Sequence, residues 1–220
     1  MKEPPAFTVN ASGKKVKFAP GNLYWDGTQF KFEEHQYDYP TAWNTNHVGH
    51  FFYSKDARVA YAAKYADANT EFGITPAVDD KFFAADGGAI EGYTVLSKDE
   101  WDYLFSHALA KNSSSKNTIT IADKICLVLK PDGFSGTVAD TYTAEQWANA
   151  EATGLVALPF TGYRDGSSIK YVGSYGRCLS STPYPSNADR AYFAHFNSDD
   201  AFTRDYDRFN GCSVRLVSVQ

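Results

Sequence analysis

A capping box at Ser97-Lys-Asp-Glu100 sets the start of a helix and thereby limits the folds open to the chain. In such a box the serine hydroxyl accepts a hydrogen bond from the glutamate amide, and the glutamate carboxylate accepts one from the serine amide. Trp101, Leu104, Phe105 and Ala108 follow at the spacing of one helix face. We therefore predict a helix that packs one apolar side against a core.

A second capping box, Thr143-Ala-Glu-Gln146, predicts another helix. Trp147 and Ala150 supply its apolar side, and Gly154 provides a C-terminal stop. Two such helices leave most of the chain to strands and loops.

Short apolar runs bounded by turn signals predict strands in the rest of the chain. In the run Ala191–Phe196, successive side chains point to opposite faces of a sheet, with Tyr192, Ala194 and Phe196 on one face and Phe193 and His195 on the other. The predicted strands are Phe7–Val9, Val16–Phe18, Asn22–Trp25, Gln29–Phe32, Ile119–Leu129, Leu155–Leu158 and Ala191–Phe196.

The middle of the chain gives a weaker pattern. Lys55–Ala68 is rich in alanine and is a helix candidate, although its apolar spacing is irregular. No Pro/Ser/Gly-rich linker divides the sequence, so we predict a single domain over residues 1–220.

Charge and hydropathy bear on which classes of partner and location the chain can have. The formal net charge is −5 and the chain contains no basic run, so we expect no nucleic-acid partner. No apolar stretch approaches the about 18 residues that a membrane-spanning helix needs. The first residues, MKEPPAF, lack the apolar middle of a signal peptide, so they neither support nor exclude export.

The three cysteines are Cys126, Cys178 and Cys212, and they form no C-x-x-C pair and no zinc spacing. The apolar run around Cys126 indicates a buried free thiol. A disulfide bridge between Cys178 and Cys212 stays open.

The sequence offers few residues for metal binding or catalysis. His47-x-x-His50 together with Asp56 has the residue types of a metal site, but a pair of histidines in a loop is more often solvated. We interpret His35 and His107 as structural. Because G-x-S-x-G, H-E-x-x-H and a glycine-rich phosphate loop are all absent from the sequence, we expect no catalytic residue, no metal and no cofactor.

The end of the chain has an unusual composition. From Tyr171 to Val219 none of the 49 residues is Lys, Glu, Gln, Met or Trp, whereas residues 1–170 contain 30 of them. Random draws from one pool would give this absence roughly once in ten thousand, since these types are common in soluble domains. Their codons all end in a purine, so scrambling the two adenines of an asparagine codon cannot produce them. The alternative is a strand-rich segment that disfavours long side chains, although strands deplete Lys and Glu but not Trp.

Nine segments, in order, resemble a large family of exported gut-bacterial proteins. They are KKVKFAPGNLYW, FEEHQYDY, YTVLSKDEWDYLF, ICLVLKPDGF, YTAEQW, GLVALPFTGYRDG, SSTPY, AYFAHFNS and GCSVRLV. That family has a C-type-lectin-like fold, in the variant also found in formylglycine-generating enzymes. The resemblance implies an α+β fold with twisted antiparallel sheets, two marked helices and long loops. It covers the chain except roughly residues 41–92.

Within that family, the C-terminal composition resembles the variable proteins of diversity-generating retroelements, in which an error-prone reverse transcript rewrites template adenines. Such proteins display hypervariable residues on a rigid lectin-like frame, at a cell surface, on a pilus tip or on a phage. The resemblance implies a ligand-binding or adhesion protein at the cell surface or outside the cell. It further implies a protein or glycan ligand on another cell or phage surface, a pilus or membrane-anchored carrier, and an isolated domain that is monomeric.

The predicted variable ligand-binding region is residues 175–212. The residues predicted to hold its core are apolar or small: Ala191, Phe196, Val214, Leu216 and Val217. The predicted outward-facing ligand-binding residues are Phe193, His195, Asp199, Asp200, Phe202, Arg204, Asp205, Tyr206, Asp207, Phe209, Asn210 and Cys212, with Arg177, Cys178, Tyr184 and Arg190 as further candidates. An exposed group of aromatics among them would mark a binding site.

Three other functions stay open. A calcium-dependent carbohydrate-binding lectin would need six to eight oxygen ligands; the chain offers Lys130-Pro131-Asp132 and four C-terminal aspartates but no Trp-Asn-Asp. A structural pilus subunit would need a donated or missing strand. A formylglycine-generating-type oxidase would need a reactive cysteine pair, which Cys178 and Cys212 imitate without a neighbouring His or Lys to lower the thiol pKa. We expect a binding protein and not an enzyme.

Overall fold

A computed structural model describes residues 5–42, 44, 46–52, 90–110, 117–165, 168–187, 189–208 and 210–220. These residues form an α+β structure in which sheets predominate and two helices are present. The helices are α1 (Lys98–His107) and α2 (Ala144–Glu151). The strands are β1 (Phe7–Thr8), β2 (Lys15–Phe18), β3 (Leu23–Trp25), β4 (Phe30–Phe32), β5 (Ile119–Ile121), β6 (Lys124–Leu129), β7 (Thr141–Tyr142), β8 (Val156–Pro159), β9 (Tyr163–Asp165), β10 (Ser168–Lys170), β11 (Tyr175–Pro183), β12 (Arg190–Asn197), β13 (Ala201–Asp207) and β14 (Val217–Val219).

Both predicted capping boxes are confirmed. Ser97 Oγ accepts a hydrogen bond from Glu100 N at 3.3 Å, and Glu100 Oε2 accepts one from Ser97 N at 2.8 Å. Thr143 and Gln146 make the same reciprocal pair at 3.2 and 2.8 Å. Each helix therefore begins where its own side chains satisfy the first free amides.

The strands form several small sheets. The two predicted N-terminal hairpins are confirmed as the antiparallel pairs β1–β2 and β3–β4. The last strand, β14, pairs with β2, so the end of the chain returns to its beginning. A mixed sheet has the order β7-β5-β6-β8, and β11, β12 and β13 form an antiparallel sheet that packs on α1.

The strand predicted as one run over Ile119–Leu129 is two strands, so that prediction is wrong. β5 and β6 pair antiparallel across a turn in which Ala122 and Asp123 have φ values of 45° and 65°. Two consecutive positive φ values are the geometry of a two-residue hairpin turn. Because Ala-Asp is not the Asn-Gly pair typical of that turn, no local signal in the sequence predicts it.

The core contains three apolar clusters. The first lies between α1 and the β11-β12-β13 sheet and includes Trp101 and Phe196. The second contacts the other face of that sheet and includes Phe193 and Leu216. The third lies between α2 and the mixed sheet, around Trp147. The predicted core residues Ala191, Phe196, Val214, Leu216 and Val217 are all buried.

Some predictions lie outside the described residues: the helix over Lys55–Ala68, the metal candidate Asp56 and the ligand-binding candidate Phe209. No helix in the described ranges has the length and hydropathy to cross a membrane. The single-domain expectation stays a prediction.

Candidate ligand-binding face

The β11-β12-β13 sheet carries the C-terminal side chains on two opposite faces. The cross-strand register aligns Cys178, Ala194 and Thr203 on one of them. This face packs on α1, where Asp102 Oδ1 accepts hydrogen bonds from Thr203 N at 3.2 Å and Thr203 Oγ1 at 2.7 Å. We call it the helix-side face.

The opposite face holds aligned rows of side chains, one from each strand. The first row is Arg177, His195 and Phe202, and the next is Leu179, Phe193 and Arg204. Core residues behind the sheet cover part of the second row, since Leu179 and Phe193 are fully buried. Part of this face therefore belongs to the core, and the rest reaches solvent.

The part that reaches solvent is bordered by residues outside the sheet, and together they form a group rich in tyrosine and arginine that we call the tyrosine–arginine face. It consists of Tyr175, Arg177, His195, Phe202, Arg204 and Tyr206 from the sheet, Tyr163 from β9 and Tyr171 from the turn before β11; Arg177 and His195 are its buried members. Tyr171 is 58% exposed and Arg204 is also exposed, whereas Phe202 and Tyr206 are half-buried. Most of these residues lie on paired strands, so a rigid backbone holds the side chains in place.

Three tyrosines at one end of this face have nearly parallel rings. The ring centroids of Tyr171 and Tyr175 are 5.3 Å apart, those of Tyr163 and Tyr171 are 5.9 Å apart, and those of Tyr163 and Tyr175 are 6.3 Å apart. The interplanar angles are 25°, 16° and 13° in the same order. Burial raises the pKa of Tyr163 and of Tyr175, so both phenols are protonated at neutral pH. The group offers aromatic surface together with hydroxyl groups.

Arg177 lies among these rings and is only 7% exposed. Its guanidinium carbon is 3.5 Å from the ring centroid of Tyr206, 4.6 Å from that of Tyr163 and 5.0 Å from that of Tyr175. Aromatic faces attract such a cation. Within the described part of the chain its Nε and Nη1 atoms have no oxygen or nitrogen acceptor, although the buried Cys212 thiol is close enough to interact with the guanidinium. A buried N–H without an acceptor costs on the order of 1–3 kcal/mol.

His195 connects the centre of the face to its edge strand. Its Nδ1 is 3.2 Å from the Tyr206 hydroxyl oxygen. Burial, helped by the charges of Arg177 and Arg204, lowers the pKa of His195 to about 4. The imidazole is therefore neutral at pH 7 and adds no positive charge of its own.

Acidic side chains of β13 point away from this face. Asp205 and Asp207 alternate with the outward residues and lie on the helix-side face, where Arg190 Nη1 is 2.8 Å from Asp205 Oδ2 and Arg190 Nε is 3.9 Å from Asp207 Oδ1. Among the residues that the structure describes, no carboxylate forms an ion pair with Arg177 or Arg204. Counting the described residues alone, the tyrosine–arginine face is thus locally cationic, on a chain whose net charge is −5.

The structure divides the predicted ligand-binding residues among several places. The tyrosine–arginine face contains five of them: Arg177, His195, Phe202, Arg204 and Tyr206. The helix-side face holds Asp205, Asp207 and Arg190, so these three do not join that face. Tyr184 is half-buried, and its ring packs edge-on against Tyr192 at 5.4 Å.

The remaining polar candidates lie in turns. Asp199 and Asp200 are exposed between β12 and β13, where Asn197 Oδ1 accepts a hydrogen bond from each of their amides at 2.8 Å. Asn210 is half-buried, and its amide donates to the Asp207 carbonyl oxygen at 3.0 Å.

Five of the residues predicted to face outward are buried. Phe193 and Cys212 are 0% exposed, Cys178 is 2% exposed, and Arg177 and His195 are 7% and 8% exposed. Cys178 faces α1, Phe193 packs in the second core cluster, and Cys212 lies on a segment whose backbone pairs with Phe51. Alternation assigns a residue to a face, but it does not show whether another layer covers that face.

Sequence reasoning missed Tyr163, Tyr171 and Tyr175 as members of the site. They come from β9, from the turn before β11 and from β11, so no local periodicity links them. The available signal was the density of tyrosine just before the variable region.

The cysteines form no disulfide: Cys126, Cys178 and Cys212 are all free and buried. The bridge between Cys178 and Cys212 that the sequence left open is therefore not present. Burial raises the pKa of both of these thiols to about 12. Neither carries the thiolate that a reactive cysteine pair requires at neutral pH.

Several metal-ligand candidates already bond to the protein. His50 Nε2 is 2.9 Å from a backbone carbonyl oxygen, and His47 Nε2 is 2.7 Å from Glu33 Oε1. Asp132 accepts hydrogen bonds from Thr8 N at 3.0 Å and from Thr8 Oγ1 at 2.7 Å. Across the described ranges, no group of three or more His, Cys, Asp or Glu side chains could hold a metal ion. The described residues therefore supply no group of calcium-coordinating side chains in support of the calcium-dependent lectin alternative.

Comparison with known proteins gives one match. A family model described as a domain of unknown function, DUF8237, matches residues 110–217. The match is just under half of the chain and runs from before β5 to the start of β14. No curated protein and no solved structure shows significant similarity to the chain. The resemblance to lectin-like and retroelement variable proteins therefore stays a prediction.

Proposed function

We propose that this chain is a ligand-binding or adhesion protein with a C-type-lectin-like fold of the formylglycine-generating-enzyme variant. Its contact surface is the tyrosine–arginine face. The chain acts at the cell surface or outside the cell, and its ligand is a protein or glycan on another cell or on a phage. The observation that carries this proposal is a solvent-facing group of tyrosine and arginine side chains on a rigid sheet.

The residue types of this face support recognition of a ligand. Tyrosine and arginine are enriched among the residues that contribute most to binding energy. Tyr171 and Arg204 are exposed, and Phe202 and Tyr206 are half-buried beside them. An exposed tyrosine that stacks on half-buried tyrosines offers aromatic surface of the kind that binding sites use.

We further propose that the chain is a variable protein of a diversity-generating retroelement. The absence of five residue types from Tyr171 to Val219 supports this proposal. Strands whose other face packs on α1 allow outward side chains to change while the backbone stays in place.

A glycan and protein array tests the binding function. We expect the native protein to bind one or more arrayed ligands, and a Tyr171→Ala/Phe202→Ala variant to lose that signal. Tyr103→Ala is the matched control, because it removes a half-buried aromatic side chain from α1, away from the tyrosine–arginine face. Equal binding by all three proteins would contradict the assigned surface.

The nucleotide sequence around the gene tests the mechanism of variation separately. We expect an adenine-rich near-copy of the segment that encodes residues 175–212. Differences between copy and gene should fall at template adenines. Absence of such a copy would remove the retroelement proposal and leave the binding proposal in place.

A further inference from the structure

We infer that the tyrosine–arginine face binds an acidic saccharide through its carboxylate group. This inference rests on the proposed binding function and names the ligand class for the same surface. Three features support it: positive charge that no described carboxylate pairs, a buried guanidinium whose Nε and Nη1 lack an oxygen acceptor among the described residues, and tyrosine hydroxyls around it.

The first feature is charge. Arg177 and Arg204 bring two permanent positive charges to the face, while Asp205 and Asp207 on the edge strand lie on the opposite side with Arg190. Asp165, on β9, is bound by Lys170. An anionic ligand would therefore find its countercharge here without displacing a carboxylate of the described residues.

The second feature is the state of Arg177. A side chain that is only 7% exposed keeps Nε and Nη1 without an oxygen or nitrogen acceptor among the described residues, held by the rings of Tyr163, Tyr175 and Tyr206. The neutral Cys212 thiol near it is a weak acceptor. Ring faces attract the cation but do not satisfy its N–H groups as an oxygen does. A carboxylate oxygen would supply the missing acceptor and form a charge-assisted hydrogen bond.

Access to this guanidinium passes the edge of the sheet. Arg204 is exposed and its guanidinium carbon lies 5.8 Å from the ring centroid of Tyr206. The half-buried Tyr206 ring in turn covers Arg177 at 3.5 Å. A carboxylate bound at Arg204 would therefore lie beside the Tyr206 ring that covers Arg177.

The third feature indicates which class of molecule carries the carboxylate. Four tyrosines on the face provide four phenolic hydroxyls, of which the Tyr206 hydroxyl is bonded to His195. Hydroxyl groups suit a hydroxylated ring better than an apolar one, since each can donate and accept. The near-parallel rings of Tyr163, Tyr171 and Tyr175 supply flat surface beside it.

Isothermal titration calorimetry tests this inference on the full chain. The probes are a glucuronic-acid-containing tetrasaccharide, the same tetrasaccharide after carboxyl reduction, a phosphorylated tetrasaccharide of similar size, and an acidic peptide. We expect the glucuronic-acid-containing tetrasaccharide, called the uronate below, to bind at least about tenfold more tightly than its carboxyl-reduced form. Arg204→Gln should weaken uronate binding by roughly three- to tenfold and leave the reduced form unchanged.

Matched variants separate the roles. Arg177→Lys should weaken uronate binding by about tenfold or more, because lysine cannot reproduce the planar guanidinium. If Arg177→Lys does not fold, Arg204→Gln decides the result. Arg190→Gln removes an arginine from the helix-side face and should leave the affinity unchanged. Tyr171→Ser should weaken both the acidic and the reduced saccharide.

The outcomes distinguish this inference from the function on which it rests. Equal affinity for the uronate and its reduced form, with loss in Tyr171→Ser, would overturn the carboxylate assignment and retain the binding face. Tighter binding of the phosphorylated sugar or the peptide than of the uronate would also overturn it. No heat of binding with any probe would overturn it as well, and the array result would then decide the proposed function by itself.

Discussion

Phe193 and Arg204 are direct neighbours across β12 and β13 on the same face, yet one is buried and the other exposed. Phe193→Ala should lower the free energy of unfolding by about 3–5 kcal/mol, because it leaves a cavity in the second core cluster. Arg204→Ser should change it by less than about 0.5 kcal/mol. Urea unfolding of the two variants measures both values. Similar losses in the two would show that this division between core and surface is wrong.

His195 predicts a pH dependence of stability. Its pKa falls from an ordinary value of 6.5 to about 4 in the folded chain, mainly through burial. Between those two values the unfolded chain binds a proton that the folded chain does not, so the free energy of unfolding decreases as pH falls from 6.5 to 4. Buried His50 contributes in the same direction, since its pKa is also lowered to about 4.

Urea unfolding at pH 7 and pH 4.5 tests this dependence. His195→Gln should lose less stability over that range than the native protein, because one of the two groups no longer titrates. His107→Gln is the control, since His107 is exposed at the end of α1. A native-like pH dependence in His195→Gln would contradict the assignment.

At the scale of single elements, the start of α1 supports the sheet that carries the site. Ser97→Ala should lower the free energy of unfolding by about 1 kcal/mol, because the Glu100 amide loses its acceptor. Ser106→Ala, whose hydroxyl bonds only to the Asp102 carbonyl oxygen, should cost less than about 0.5 kcal/mol. Thermal unfolding of the pair measures the difference. An equal effect would mean that the capping box does not stabilise the helix.

Elements with local signals were predictable from the sequence. The Ser97 and Thr143 boxes and the two N-terminal hairpins depend on residues within a few positions of one another, and the structure confirms them. The hairpin turn at Ala122 and Asp123 was missed because its backbone adopts positive φ without a glycine or asparagine. β5 and β6 pair across this turn, and a nearly continuous apolar run does not show where a turn divides it.

At the scale of the whole molecule, the covering of each face depends on distant segments. Ser213 pairs with Cys178 of β11, so the segment before β14 lies beside the β11-β12-β13 sheet, and its neighbour Cys212 pairs with Phe51. The second core cluster, which joins Phe193 to Phe51 and Leu216, buries Phe193, whereas Phe202 is half-buried. Alternation gave the two faces correctly, but long-range pairing decided which side chains reach solvent. The tyrosines of the site were missed for the same reason.

A single experiment on one variant tests whether the tyrosine–arginine face can change without loss of the fold. The variant replaces Tyr171, Phe202 and Arg204 with serine, and thermal unfolding and array binding are recorded together. We expect an unfolding temperature within a few degrees of the native value, because these side chains are exposed or half-buried, and loss of the native array signal. Native-level binding by this folded variant would contradict the proposal that the tyrosine–arginine face contacts the ligand.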